Sequence, residues 1–142
     1  MNFSPPSSLI ENGKLKLVCL DDEPALLDLV SRSLADRFEI HKYSDGDAAW
    51  SELSHADPDV FITDIKHPGL DGLILLKRLA TKKVTYPILI ITGFSDGTIE
   101  DYCKTQCPQL KAKVITKPFQ VDDLLDEITA LRGIEAKKRH PD

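Results

Sequence analysis

The chain of 142 residues is short of the features that mark special classes. It has three cysteines, Cys19, Cys103 and Cys107, an odd number and too few for a disulfide-built scaffold, so a hydrophobic core must hold the fold. Cys19 lies in an apolar run and reads as a small buried hydrophobe. Cys103 and Cys107 are four apart and could present two metal ligands on one helix face, but no second Cys or His pair stands at ligand spacing, and helix packing is the simpler reading. Free thiols suit a reducing compartment. No apolar run approaches the ~20 residues of a membrane span. The first fifteen residues lack a basic stretch, an apolar core and a small-residue cleavage site, so no secretory leader is expected and the cytoplasm is the expected address. Positive charge is in deficit, 18 Lys and Arg against 23 Asp and Glu for a net −5. A chain so balanced lacks the clustered cationic surface that phosphate backbones or anionic membranes require, and neither is expected as a direct partner.

What is present is enough for one domain. With 42% hydrophobic and 29% charged residues, 142 residues can bury a core but cannot build two. The Ser/Pro-rich stretch 1–13 reads as a flexible leader, 14–133 as the folded unit, and the charged stretch 134–142 as a tail or the start of a linker.

Short apolar runs rich in β-branched residues recur at intervals of about 25 positions: 15–20, 38–43, 60–63, 88–91 and 114–116. Runs this short and continuous suit strands covered on both faces. Helical patterns fill the gaps. Pro24 suits a first helical turn, with Leu26, Leu27, Val30 and Leu34 following at helical spacing. Stretches 45–53, 71–80 and 95–106 each open on an Asp or Ser able to cap free backbone N–H groups. Val121, Leu124, Leu125, Ile128 and Leu131 form a stripe that stops at Gly133, a natural C-terminal cap. Five strand–helix units in strict alternation imply an α/β fold, a doubly wound parallel sheet with helices on both faces. Ligands of such sheets bind outside the carboxyl ends of the strands.

Polar residues stand where four of the five apolar runs stop: Asp21 and Asp22, Asp64, Thr92 and Lys117. Three carboxylates brought together repel one another unless a cation joins them. All-oxygen ligation without His or Cys favours a hard ion, and few carboxylates completed by water and a phosphate oxygen suit Mg²⁺ better than Ca²⁺. Lys117 and the Thr92 hydroxyl then become donors for a multiply charged anion, and Asp64 the candidate nucleophile toward phosphorus. The inferred chemistry is phosphoryl transfer onto an aspartate.

Four segments carry a resemblance to a known family: Leu20-Asp21-Asp22-Glu23-Pro24, Asp64-Ile65-Lys66-His67-Pro68-Gly69-Leu70-Asp71-Gly72, Ile91-Thr92-Gly93 and Thr116-Lys117-Pro118-Phe119. In this order, spread from Leu20 to Phe119, they resemble the receiver domain of two-component response regulators. The resemblance implies a flavodoxin-like (CheY-like) five-stranded sheet of order 2-1-3-4-5. It also implies that Asp64 accepts a phosphoryl group from a histidine kinase or phosphotransfer protein, and that the change is passed to a downstream protein or output domain. Carried over residue by residue, Asp22 and Asp64 would bind Mg²⁺ through their side chains, Lys66 through its backbone carbonyl, and Asp21 through water. Thr92 would bond a phosphoryl oxygen and Lys117 would pair with the phosphate, next to a Lys117–Pro118 peptide that is usually cis in the family. Gly72 would relieve the turn into the third helix. Phosphorylation-dependent homodimers through the last helices are common in such proteins.

The departures also bear on function. His67 stands where an apolar residue is usual, either as an exposed loop residue or as a pH-sensitive contact to phosphate. Val114 replaces the switch aromatic, so the relay to the outer face is altered or carried by another side chain. The interval from Thr92 to Lys117 is about three residues longer than usual, across the fourth helix. The resemblance implies that Lys66 and Phe94 would flank the path of the hydrolytic water, and their bulk predicts slow autodephosphorylation. Two other readings compete. A Mg²⁺-dependent phosphatase of the haloacid-dehalogenase type wants a second acid two residues after the nucleophile, where this chain has Lys66. A degenerate receiver acting only as a docking module usually loses an acid, hydroxyl or lysine position, and none is lost here. Trp50, His41, His55 and Tyr102 read as packing or surface residues.

Overall fold

The computed structural model describes residues 14–66, 69–93 and 97–132. The leader 1–13, the tail 134–142 with Gly133, Ser95, His67 and Phe94 lie outside the described residues. Elements alternate throughout: β1 (Leu15–Leu20), α1 (Pro24–Leu34), β2 (Phe38–Tyr43), α2 (Gly46–Leu53), β3 (Val60–Asp64), α3 (Gly72–Lys82), β4 (Ile88–Thr92), α4 (Thr98–Gln106), β5 (Ala112–Thr116) and α5 (Val121–Arg132). The five strands form one parallel sheet in the order β2-β1-β3-β4-β5. This is the α/β, flavodoxin-like doubly wound sheet that the strand–helix alternation and the motifs imply.

Strand alternation sorts the core onto two faces. Leu17, Cys19, Val60, Ile62, Leu89 and Ile91 pack with Leu26, Val30 and Leu34 of α1 and Leu124 and Ile128 of α5. Val18, Leu20, Phe61, Ile88 and Ile90 pack with Ala49 and Leu53 of α2 and Leu75, Leu76 and Leu79 of α3. Only β1, β3 and β4 are covered almost throughout; the edge strands β2 and β5 are half-exposed. The continuous apolar reading therefore holds for the middle strands alone. At β5 it also missed Ala112 and Lys113, weak strand formers that pair with Ile88 and Leu89 of β4. No described helix is long and apolar enough to cross a membrane.

The helix starts follow their cap chemistry. Pro24 opens α1. Asp45 Oδ1 accepts from Ala48 N (2.9 Å) at α2, and Asp71 Oδ1 from Leu73 N (2.8 Å) and Ile74 N (3.2 Å) at α3. The fourth helix differs from the sequence expectation: among the described residues it begins at Thr98, after Gly97 in the left-handed region (φ 90°) with no side-chain cap. A left-handed turn is open to glycine at little cost, which is the local reason for the later start.

Candidate functional site

The carboxyl ends of β1, β3, β4 and β5 lie side by side, and each delivers polar groups to one place. Asp21, 1% exposed, continues the β1–β2 ladder through its N–H on Tyr43 O (3.1 Å). Its Oδ1 accepts from Glu23 N (2.8 Å), which closes the turn into α1. Its Oδ2 is buried without a hydrogen-bond partner among the described residues. Burial pushes the Asp21 carboxyl above the usual carboxylate range; the Glu23 N–H and the Lys117 charge oppose this, while Asp64 and Glu23 add to it. Asp64 ends β3 half-buried, its Oδ1 accepting from Lys66 N (3.1 Å) and its backbone carbonyl from the Thr63 hydroxyl (2.7 Å). Exposed Asp22 completes the group. One oxygen from each of Asp21, Asp22 and Asp64 lies within 4.8 Å of the others.

Lys117 answers these charges from β5's end. Its Nζ stands 3.1 Å from Glu23 Oε1, 3.6 Å from Asp21 Oδ2 and 3.8 Å from Asp64 Oδ2. Burial alone lowers the ammonium's pKa, but the hydrogen bond to Glu23 and the fields of Asp21 and Asp64 outweigh it and hold the group above its ordinary value. The backbone fixes its root: Lys117 N donates to Thr92 O (2.7 Å), and the Lys117–Pro118 peptide is cis. Thr92 is the last residue of β4 and nearly buried.

Gly72 sets the other wall. A Cβ there would meet Ile65 O at 2.5 Å and Ile65 Cα at 2.8 Å. Only glycine lets the start of α3 press this closely on the loop after β3. A cleft of about 510 Å³ opens beside Asp64, lined by Ile65, Lys66, Thr92 and Gly93, with Thr98 and Ile99 of α4 on its far side.

The structure thus brings together Asp21, Asp22, Asp64, Lys66, Thr92 and Lys117. Val114 lies apart, half-buried on β5, where it lines a separate groove of about 260 Å³ under α4 with Cys103, Cys107 and Leu110. Cys103 and Cys107 pack there; burial pushes both thiols up, Cys103 to about 11. Cys19 is buried in the sheet and pushed to about 12. Glu23 is the residue sequence reasoning left without a role. Its signal was available: it is a third acid following the acid pair, at the strand end that faces the lysine. Trp50 carries the Arg78 guanidinium 5.4 Å from its ring centroid, and Tyr102 donates its hydroxyl to Leu73 O (3.1 Å). His55 Nδ1 lies 2.7 Å from Ser51 O, and His41 Nε2 3.7 Å from Glu39.

Three clustered carboxylates, one with a buried oxygen that lacks a hydrogen-bond partner among the described residues, fit a hard divalent cation such as Mg²⁺. Sheet order and polar strand ends together define a flavodoxin-like domain with an acidic site at its switch point. The chain belongs to the response regulator receiver domain family, whose pattern matches residues 17–129. It is similar to the transcriptional regulatory protein TrcR of Mycobacterium tuberculosis, 28% identical over 141 residues, covering 92% of this chain and 49% of that one. Alkaline phosphatase synthesis transcriptional regulatory protein PhoP of Bacillus subtilis is 28% identical over 118 residues, covering 82% and 48%. The chain therefore spans about half the length of these relatives. Its fold matches a CheY-like response regulator receiver domain protein from Methanospirillum hungatei, with TM-score 0.76, 20% identity and coverage of 88% of this chain and 98% of that one.

Proposed function

We propose that residues 14–133 act as a phosphorylation-activated switch of a two-component phosphorelay, with Asp64 as phosphoacceptor. The observation that carries this reading is the convergence of Asp21, Asp22 and Asp64 with Lys117 at the carboxyl end of the sheet. An Asp64 carboxylate oxygen forms a bond to phosphorus as the P–N bond of a donor phosphohistidine breaks, and the departing imidazole takes up a proton. Asp22, Asp64 and the Lys66 carbonyl, with Asp21 beside them, would hold Mg²⁺, which would neutralise charge on the phosphoryl oxygens. Lys117 offers its ammonium to the transferred group, and Thr92 its hydroxyl. The donor is a histidine kinase or histidine phosphotransfer protein, and the recipient of the signal is a downstream protein or output domain. Lys66 and Phe94 screen the acyl phosphate and lengthen its life. The chain catalyses nothing beyond its own phosphorylation and dephosphorylation, and the cytoplasm is its place of action.

Intact mass after incubation with acetyl phosphate and Mg²⁺ tests this. Wild type gains one phosphoryl group, Asp64→Asn gains none, and EDTA abolishes the gain. If wild type stays unmodified, and beryllofluoride also fails to bind, which excludes a short-lived phosphate, the chain is a docking module that works without phosphorylation.

A further inference from the structure

The surface of α3 differs from the rest of this anionic chain. From 72 to 83 the sequence holds Lys77, Arg78, Lys82 and Lys83 and no acid. Among the described residues no carboxylate stands within ion-pair distance of Lys77, Arg78 or Lys82. Lys77 and Lys82 donate instead to backbone carbonyls, Gln106 O and Leu53 O, both at 2.9 Å. Their charges are thus anchored at the ends of α4 and α2, with no counter-ion among the described residues. Arg78 lies over the Trp50 ring, its centroid 5.4 Å away, a contact that holds the guanidinium along the surface.

On the same cleft as these cations is Ile74, 49% exposed, the one large apolar side chain exposed among the described residues. It borders a shallow cleft of about 380 Å³ that also takes in Trp50 of α2, Thr81 and Tyr102 of α4. An apolar floor with such a cationic rim is the complement of an apolar anchor flanked by carboxylates. We propose that this α2–α3 cleft docks an acidic amphipathic peptide segment of a partner protein. A bulky aliphatic or aromatic side chain of that segment covers Ile74 beside Trp50, and its Asp or Glu residues meet Lys77, Arg78 and Lys82. An anionic membrane fits less well: the apolar floor between these cations is concave, and a flat lipid surface would not cover Ile74 and Trp50 within it. The proposal stands apart from the chemistry at Asp64.

The probe is a synthetic amphipathic peptide with leucines at helical spacing and glutamates elsewhere, titrated into the full chain by calorimetry. Trp50 is the sole tryptophan, so its emission reports whether the cleft is occupied. The expected result is a saturable shift of Trp50 emission, with affinity falling at least about tenfold in Arg78→Glu and in Ile74→Ser, and falling further with salt. Both variants should keep the wild-type circular dichroism, since neither side chain is buried. Three results would overturn the proposal: no binding of wild type at about 1 mM peptide, equal binding of a peptide with lysines in place of glutamates, or heat without change at Trp50. Phosphatidylserine vesicles serve as the rival probe, and binding to them that is lost in Arg78→Glu would replace the peptide with a membrane.

Discussion

One helix, α3, presses on the loop after β3 and another, α4, borders the cleft beside Asp64, and the two are held in opposite ways. On one side α3 buries Gly72, Leu75, Leu76, Leu79 and Ala80, donates two backbone N–H hydrogen bonds to the Asp71 cap, and ends on a left-handed Lys83 whose N–H returns to Ala80 O and Leu79 O. Across the cleft, α4 buries no residue, starts on Gly97 without a side-chain cap, and rests over a groove of about 260 Å³ beside the half-exposed β5. Burial and capping stabilise a helix far more than propensity does, so local stability is concentrated on the α3 side. The difference teaches where a charge placed at Asp64 can act. Re-seating α3 would uncover core, whereas re-seating α4 would uncover little. A ligand shifts an equilibrium only through differential interaction with its two states, and α4 is the neighbour whose two states can lie close in energy.

The harshest way to break this comparison is to truncate one apolar side chain on each helix. Leu79→Ala removes a fully buried side chain and should cost about 2–5 kcal/mol. Ile99→Ala, on the half-buried face of α4, should cost under about 1 kcal/mol. Urea midpoints with unchanged slopes measure both. Equal losses would place α4 in the same packed unit as α3.

Hydrogen exchange reads the same contrast without mutation. Amides of α3 should exchange near the global unfolding rate and those of α4 through cheaper local openings, at least about tenfold faster. Phosphorylation should then change protection chiefly in α4 and β5. Thr92→Ala should still gain the phosphoryl mass while losing most of that change, because the hydroxyl at the end of β4 is the donor lost. A protection change of the same size in the variant would assign the coupling to Lys117 alone.

The well-held side was the more legible one. Leu75, Leu76 and Leu79 announce α3 by period, and Asp71 announces its start by cap chemistry, because burial and capping leave marks in sequence. The acid trio was legible for a related reason: each acid stops an apolar run, and parallel topology gathers the stops at one edge. The fourth helix was harder to place. Its residues answer to little packing, so nothing in their pattern fixes the first turn, and a cap at Ser95 suits the sequence as well as the observed start at Thr98 after Gly97. Glu23 was missed because its partner, Lys117, is 94 positions away in sequence, and no local pattern joins them. The charge on α3 could be counted in the sequence, but that Ile74 lies exposed among those cations could not, because exposure depends on which helix face meets the sheet.

The smallest effect sharpens the comparison by asking what kind of force makes the firm side firm. Lys16 of β1 pairs with Glu52 of α2, and Tyr43 donates its hydroxyl to the same carboxylate (3.4 Å). The hydrogen bond from Lys16 holds the Glu52 carboxyl below its ordinary 4.5, ahead of the opposing effect of burial. A carboxyl with a depressed folded pKa adds stability that is complete above the unfolded value and drains as pH falls through the folded one. Glu52→Gln should therefore cost under about 1 kcal/mol at pH 7, and the gap between wild type and variant should close as pH drops below 4.5. Taking the difference between the two proteins cancels the titration of every other acid. A loss as large as that of Leu79→Ala, still present in acid, would mean that α2, which shares its face of the sheet with α3, rests on polar pins and not on packing, and burial would no longer account for the firmness of that face.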